Sequence, residues 1–396
     1  MACTTTDTTR MPRAGAPPLE PVAVDRPPYR PPLTATPGIA RPSLRHAGVR
    51  IPAPLAPLRG HWPLPVAPMP AATWPRALRD WVCWATAPDF ITLPPAAPVS
   101  AREPVLPDWA RPLAAARRLR ELAVEGAVGA WTPGRLARFQ MQLSPTVPAT
   151  LRQRSAWFGD RADALELAPT PEMLPGLVED LCAFIDHRAP DPLAQAALAH
   201  DQLLAIRPFD DGNARLARVV AAAIVARGGL APETCFPVFA LRGRGALGAH
   251  DATHHDEITL AARGDAWRRG FRRGTAFANV LQHALDEWVV RLAARLGGEQ
   301  RAQRLAEMAS ARPVLDAWLV RSAAGAQPEA QALHWQALRD EGWSPVGGDP
   351  EAPAWLAGTR FWQRAAALWA MAANAERASS AGNDTPAPAR QEPIEA

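Results

Sequence analysis

The placement of proline constrains this chain more than any other feature. Its 44 prolines are concentrated toward the front, with pairs at Pro27-Pro28, Pro31-Pro32 and Pro94-Pro95. Each proline fixes its own φ, lacks a backbone donor and pushes the preceding residue out of the helical region, so dense proline blocks regular structure. Residues 1–107 are therefore predicted to be a proline-rich arm, largely extended or disordered. For 76–87, a short helix and an isolated turn are both open.

Regular hydrophobic patterning begins at Asp108 and predicts a mainly α protein, because apolar residues recur at helical spacing. Residues 108–295 are interpreted as one helical domain, 296–375 as a helical C-terminal region and 376–396 as a disordered tail. Residues 151–167 are predicted to be irregular or a short hairpin. The first predicted helix begins at Asp108 and extends through Leu122, and the others cover 132–143, 171–187, 193–206, 213–228, 275–296, 314–321 and 354–375.

Composition narrows the class of protein. The basic residues are all arginine, and the formal net charge of +4 is modest for 396 residues, so charge alone does not indicate nucleic acid as a partner. The four cysteines lie far apart without a CxxC pair, which argues against a zinc site or disulfide framework. No apolar signal region or membrane anchor is visible. A bacterial, cytoplasmic protein is predicted, with specialised secretion as an effector left open.

The segment RPFDDGNARLAR, residues 207–218, has the layout of an anion site. A helix ends before Pro208, and a second helix begins at about Asn213 with its free N–H groups facing the loop. Arg215 and Arg218, three residues apart, lie on one side of that helix, and two guanidiniums there favour a di- or triphosphate. Asp211 offers an oxygen ligand suited to Mg²⁺. Asp210 is predicted to face solvent or to act as a cap.

The longer run AALAHDQLLAIRPFDDGNARLAR resembles the core of the Fic (Fido) family, whose motif is HPFxDGNGRxxR. The resemblance implies a Fic-type helical bundle with a small β-hairpin flap, and it extends over 108–295 because the order of the surrounding elements also agrees. The family commonly transfers AMP from ATP to a Ser, Thr or Tyr hydroxyl. It therefore implies ATP or another nucleotide with Mg²⁺ as the cofactor, and an unknown target protein aligned by the flap around Ser155 to Gly159.

The resemblance also implies roles for single residues. Asp211 would bind the metal, and Arg215 and Arg218 would clamp the distal phosphates. Gly212 and Asn213 would form the backbone cradle, with the Asn213 side chain on a phosphate. Ala214 occupies a phosphate-binding position where the family usually has glycine, which is harmless if that residue is already helical.

Position 207 carries arginine where the family has its catalytic histidine. Arginine cannot accept a proton near pH 7, because deprotonation would cost on the order of 7 kcal/mol. The leading hypothesis is thus a divergent Fic-like protein that binds a nucleotide but has impaired or altered transfer. The alternatives are a non-catalytic protein-interaction module and a nucleic-acid-binding regulator that uses arginine clusters. For the cluster at 268–273, a solvated face is favoured.

Two further residues near the motif have competing interpretations. His200 could replace the missing base, but a structural, hydrogen-bonded role is favoured because it lies about two helical turns upstream of Arg207. Glu125-Gly126 partly matches the family's inhibitory helix, [ST]xxxE[GN], with Glu121 where Ser or Thr is expected. An inhibitory Glu125 would pair with Arg218.

Overall fold

The computed structural model describes residues 20–21, 48–49, 51–63, 78–79, 82, 86, 111–145, 147–156, 166–242, 257–310, 314–325, 327–345, 355–358, 363–372 and 374. The chain divides into two compact units. Unit 1 comprises residues 1–69, 122–228 and 247–267, and unit 2 comprises 70–121, 229–246 and 268–396. This division differs from the boundaries predicted at 107/108 and 295/296.

The described elements are mostly helices, as the sequence predicts. The helices are α1 (Ala56–Gly60), α2 (Arg111–Ala127), α3 (Pro133–Leu143), α4 (Leu174–Asp186), α5 (Pro192–Ile206), α6 (Asn213–Arg227), α7 (Phe236–Arg242), α8 (Glu257–Leu296), α9 (Glu299–Ser310), α10 (Ala317–Ala324) and α11 (Pro328–Asp340). The strands are β1 (Glu20–Pro21), β2 (Gly48–Val49), β3 (Glu166–Leu167), β4 (Val314–Asp316), β5 (Ser344–Pro345) and β6 (Trp355–Ala357).

The core of unit 1 is built around α5, which is buried on all sides. Every residue of this helix except Pro192 and Leu204 is buried, including the polar residues Gln195, His200, Asp201 and Gln202. Its buried polar side chains have partners: Gln195 Nε2 donates to the Phe184 carbonyl at 2.8 Å, and Gln202 Nε2 donates to the Ala53 carbonyl at 3.0 Å. Helix α6 packs along α5, which fixes the loop between them.

Local signals set the helix starts in unit 1. The Thr132 hydroxyl accepts a hydrogen bond from the Arg135 N–H at 3.1 Å, and Pro133 takes the first helical position of α3, as predicted. Asp191 caps α5 through bonds from the Leu193 and Ala194 amides. These caps satisfy donors that lack a partner within the helix.

Part of the predicted arm is ordered in unit 1. Residues 51–63 contain α1, and Leu55 and Leu58 are buried. The Leu55 amide donates to Asp180 Oδ2 on α4 at 2.6 Å. The extended prediction for this stretch is therefore corrected, because a proline at the start of a helix does not oppose it. Strand β2 pairs antiparallel with β1 and parallel with β3.

In unit 2, the part of α8 around Gly270 and Gly274 lies close to the short helix α7. A Cβ on Gly270 would lie 3.2 Å from Val238, and one on Gly274 would lie 2.8 Å from Pro237. Glycine at these positions permits the close approach of the two backbones. Helix α8 begins at Glu257, well before the predicted start at 275. Gly270 and Gly274 therefore lie within this helix rather than before it.

The described residues between 299 and 357 form three helices and a small antiparallel sheet. Helix α9 leads into β4, helices α10 and α11 follow with three residues between them, and β5 and β6 complete an antiparallel sheet of order β4-β6-β5. The exposed residues of α11 include Glu329, Arg339 and Asp340.

Two C-terminal predictions are wrong. Residues 314–316 form a strand rather than the start of a helix, and 355–357 form its partner, with Val314 opposite Ala357. Of the described residues in the stretch predicted at 354–375, 363–372 and 374 are helical. Short apolar runs do not distinguish strand from helix, and here a pairing across about forty residues decides the outcome.

Cys182 and Cys235 are free and buried. Burial, assisted by the nearby carboxylates of Asp186 and Glu179, raises the pKa of Cys182 to about 12. This thiol therefore stays protonated and inert at neutral pH. None of the described helices combines the length and the apolar character needed to cross a membrane.

Candidate functional site

Arg207 ends α5 in a left-handed conformation, with φ of 47° and ψ of 62°. Among the described residues it is the one non-glycine with positive φ. The conformation turns the chain sharply into Pro208, and it costs roughly 1–2 kcal/mol for an ordinary side chain. The Arg207 amide donates to the Leu203 carbonyl at 3.0 Å. Burial lowers the pKa of the Arg207 guanidinium.

The turn at Arg207 is fixed by hydrogen bonds from Arg152, which is buried, with 2% of its surface exposed. Its Nε donates to the Arg207 carbonyl at 2.7 Å, Nη1 donates to the Arg154 carbonyl at 2.7 Å, and Nη2 donates to the carbonyls of Ile206 and Pro169. The Arg152 amide also donates to the Pro208 carbonyl at 2.9 Å. One side chain thus satisfies carbonyls from three segments of the chain.

Gly212 is the residue from which α6 starts, with φ of 76°. It is buried beneath α3, where a Cβ would lie 2.5 Å from both Gln140 Nε2 and Ser144 Oγ. Gln140 Nε2 donates to the Asp211 carbonyl at 2.6 Å. Conformation and space therefore both require glycine at this position.

The Asn213 side chain closes the loop internally. Its Oδ1 accepts from the Phe209 amide at 3.0 Å, and its Nδ2 donates to the Phe209 carbonyl at 2.7 Å. Both polar atoms are thus engaged with the backbone, whereas the resemblance implies a contact with phosphate. Phe209 is buried and anchors the loop. Ala214 is exposed within the first turn of α6, where alanine is favoured over glycine by about 1 kcal/mol.

Arg215 joins the loop to the end of α3. Its Nη2 donates to Ser144 Oγ and lies 3.0 Å from Asp211 Oδ2. Asp211 is the predicted metal ligand, and 57% of its side chain is exposed. Among the described residues, no group of three or more His, Cys, Asp or Glu side chains could hold a metal ion. Asp211 could therefore hold Mg²⁺ only together with oxygens of a bound ligand, and its carboxylate is already paired with a guanidinium.

Arg218 lies one turn further along α6. Burial, together with the nearby positive charge of Arg215, lowers the pKa of Arg218 to about 10. Burial likewise lowers the pKa of Arg152 to about 10, although the carboxylate of Asp210 acts in the opposite direction. Both guanidiniums stay charged at neutral pH. The loop therefore carries desolvated positive charge, which a bound anion would stabilise.

Asp210 differs from its prediction as a solvent-facing residue or a cap. It is half-buried, and its Oδ1 is buried without a hydrogen-bond partner. The nearby Arg152 explains the position, because the guanidinium supplies a compensating charge inside the protein.

Glu125 also differs from its prediction. Its Oε1 lies 2.6 Å from Arg138 Nη2 on α3, rather than pairing with Arg218. The side chain of Glu125 is 43% exposed, whereas Arg218 is half-buried. Gly126 has a packing role instead, because a Cβ there would lie 2.9 Å from Ala223 on α6.

His200 is buried in the middle of α5. Its Nδ1 lies 2.9 Å from Asp201 Oδ1, and its ring packs edge-on against Trp267 with the centroids 5.8 Å apart. This arrangement agrees with the structural role favoured for it.

The predicted flap is described only at Ser155 and Ala156; 157–159 lie outside the described residues. The Ala168 amide donates to the Ala156 carbonyl at 2.8 Å. In the arginine cluster at 268–273, Phe271 is buried while Arg272 and Arg273 are exposed, which agrees with a solvated face rather than a stacking surface.

Sequence reasoning missed three residues that build the site: Gln140, Ser144 and Arg152. Gln140 had a detectable signal, since it is a polar residue beside Leu136 and Phe139 on the buried side of α3. Arg152 had none, because it lies in an irregular segment and its partners are remote in sequence.

Solved structures similar to this chain include three Fic proteins. A Fic family protein from Desulfovibrio desulfuricans is 20% identical, with 56% of this chain and 71% of that chain covered and a TM-score of 0.35. A Fic-domain-containing signalling protein from Bacteroides thetaiotaomicron is 15% identical, with 51% and 85% covered and a TM-score of 0.34. Fic-1 from C. elegans is 16% identical, with 56% and 70% covered and a TM-score of 0.28.

A search of curated proteins finds no match. The model of the Fic/DOC family matches residues 136–225. This range begins within α3, contains the 207–218 loop and ends within α6. The resemblance to the Fic/DOC family is therefore confirmed for the segment that builds the candidate site.

Proposed function

We propose that this chain is a divergent Fic-like protein that binds a nucleotide or another polyphosphate at the 207–218 loop. We further propose that AMP transfer to a protein hydroxyl is impaired or altered. The observation that carries the proposal is the loop itself, in which Gly212 opens α6 directly beside Arg215 and Arg218. An anion there would meet backbone N–H groups, a helix dipole and two guanidiniums.

The impairment follows from position 207. In AMP transfer a hydroxyl oxygen attacks the α-phosphorus, pyrophosphate leaves, and the hydroxyl proton needs an acceptor. Arg207 cannot act as that acceptor, because its guanidinium is charged at neutral pH. His200 is buried against Trp267 and bonded to Asp201, so it is not placed to replace the missing general base.

If the loop binds a nucleotide, millimolar ATP should raise the melting temperature of the protein. The measurement is made in two buffers, one with Mg²⁺ and one with a chelator. Saturation at a hundred times Kd stabilises the folded state by about 2.7 kcal/mol, which corresponds to a rise of several degrees. Differential scanning fluorimetry measures it. Arg218→Gln should abolish most of the shift. Arg138→Gln, on the exposed side of α3, should keep it. No shift of the natural chain in either buffer would remove the proposal.

The Arg207→His variant tests the missing base. Histidine tolerates a left-handed backbone better than most residues, so it fits the φ of 47° at this position. Transfer of labelled AMP to the chain itself or to proteins of a cell extract should rise by about 10²-fold, the lower end of the usual contribution of a general base. The readout is label incorporated per unit time from ATP labelled at the α-phosphate.

Arg207→Gln is the matched control, since it removes the charge without supplying a base, and it should stay as slow as the natural chain. Equal labelling by Arg207→His and the natural chain would contradict the role assigned to position 207. ATP binding without labelling by any variant would favour the non-catalytic interaction module.

A further inference from the structure

We propose that the 207–218 loop binds its polyphosphate ligand without a magnesium ion, with arginine side chains in place of the metal. This inference rests on the proposed function, and it specifies the form of the ligand. The expected ligand is a metal-free nucleoside di- or triphosphate, or an inorganic polyphosphate.

The first reason is the state of Asp211. Its Oδ2 lies 3.0 Å from Arg215 Nη2, and Arg215 is 11% exposed and also bonded to Ser144. A metal ion at Asp211 would therefore bind a carboxylate whose charge is already neutralised by a guanidinium. Mg²⁺ at a nucleotide is usually held by one or two carboxylates together with phosphate oxygens and water, so it would depend on Asp211, which is already paired with Arg215.

The second reason is the charge of the loop. Residues 207–218 contain three arginines against two aspartates. A neutral histidine at 207 would leave these charges balanced, and a metal ion would then be needed to attract a polyphosphate. With Arg207 the loop has a net positive charge. Arg152 adds a further positive charge, close enough to interact with Asp210 and Arg207. A divalent cation is disfavoured in such a field, whereas an anion is favoured.

The third reason is that a phosphate can replace a carboxylate as the hydrogen-bond partner of Arg215 when the ligand binds. A phosphate oxygen would take the place of the Asp211 carboxylate beside Arg215 while the bond to Ser144 stays, which replaces one charge-assisted hydrogen bond with another. Guanidiniums bind phosphate in a bidentate manner. The positive charges that Mg²⁺ would supply are therefore already part of the protein.

Isothermal titration calorimetry with the full chain tests the inference, with ATP and inorganic tripolyphosphate as probes in chelator and in millimolar Mg²⁺. Kd in chelator should be equal to or lower than Kd in Mg²⁺. The decisive variant is Asp211→Asn. Loss of a metal ligand weakens binding, whereas loss of a competing negative charge should strengthen binding in chelator by about threefold to tenfold.

Glu179→Gln is the control, because it removes an exposed carboxylate from α4 and should leave Kd unchanged. Arg207→Gln should weaken binding in chelator by about tenfold and make Mg²⁺ favourable. Binding that requires Mg²⁺, or that Asp211→Asn weakens, overturns the inference while the proposed function stands. An absence of binding in both buffers removes the proposed function as well.

Discussion

Replacing Gly212 by alanine should lower the free energy of unfolding by about 2–5 kcal/mol, from left-handed strain and overpacking together. The new Cβ would lie 2.5 Å from Gln140 Nε2 and from Ser144 Oγ. These side chains can move only by giving up their bonds to the Asp211 carbonyl and to Arg215. Chemical denaturation measures the loss, and hydrogen exchange of the 207–216 amides locates it.

Gly229→Ala is the matched control. Gly229 also has positive φ, at 93°, but nothing lies within 4 Å of the position that a Cβ would take there. Gly229→Ala should lower the free energy of unfolding only by the conformational strain, about 1–2 kcal/mol. The difference between the two variants isolates the contact with α3. A Gly212→Ala variant no less stable than Gly229→Ala would show that the loop does not pack against α3 as described.

Replacing Arg152 by methionine should cost about 3–5 kcal/mol, the range for breaking a buried charge pair. The variant leaves the carbonyls of Ile206, Arg207 and Pro169 without the guanidinium that binds them. It also leaves the half-buried carboxylate of Asp210 without its compensating charge. The midpoint of urea unfolding should fall accordingly, and the amides of 206–210 should exchange faster.

Two comparisons separate this effect from general damage. Arg154→Met, at an exposed neighbour, should change stability by no more than about 0.5 kcal/mol. Asp210→Asn should be less harmful in the Arg152→Met background than in the natural chain, because it removes the uncompensated charge. Strict additivity of Arg152→Met and Asp210→Asn would contradict the coupling between them.

The helices that local signals specify could be predicted from the sequence. Thr132 with Pro133 marked the start of α3, and Gly228 marked the end of α6, because caps act within one turn. Strands β4 and β6 could not be predicted, since they depend on pairing between distant segments. The start of α8 was missed because its glycines serve close packing against α7 rather than helix termination.

The candidate site divides in the same way. Gly212, Arg215 and Arg218 follow one another along the chain, so their spacing was informative. The contacts of Asn213 with Phe209 and of Glu125 with Arg138 were not predicted, because side-chain partners depend on the tertiary fold. Arg152 was missed because its role exists only when the segments around it meet.

The separation of those segments also bears on how the loop forms and opens. Three of the four carbonyls that the Arg152 side chain binds lie 17, 54 and 55 residues away in the chain. Non-local contacts of this kind are slow to form, since the entropy of closing the chain must be lost first. Interactions that form after the folding barrier act mainly on the rate of unfolding. We therefore expect Arg152 to make the loop slow to open rather than quick to assemble.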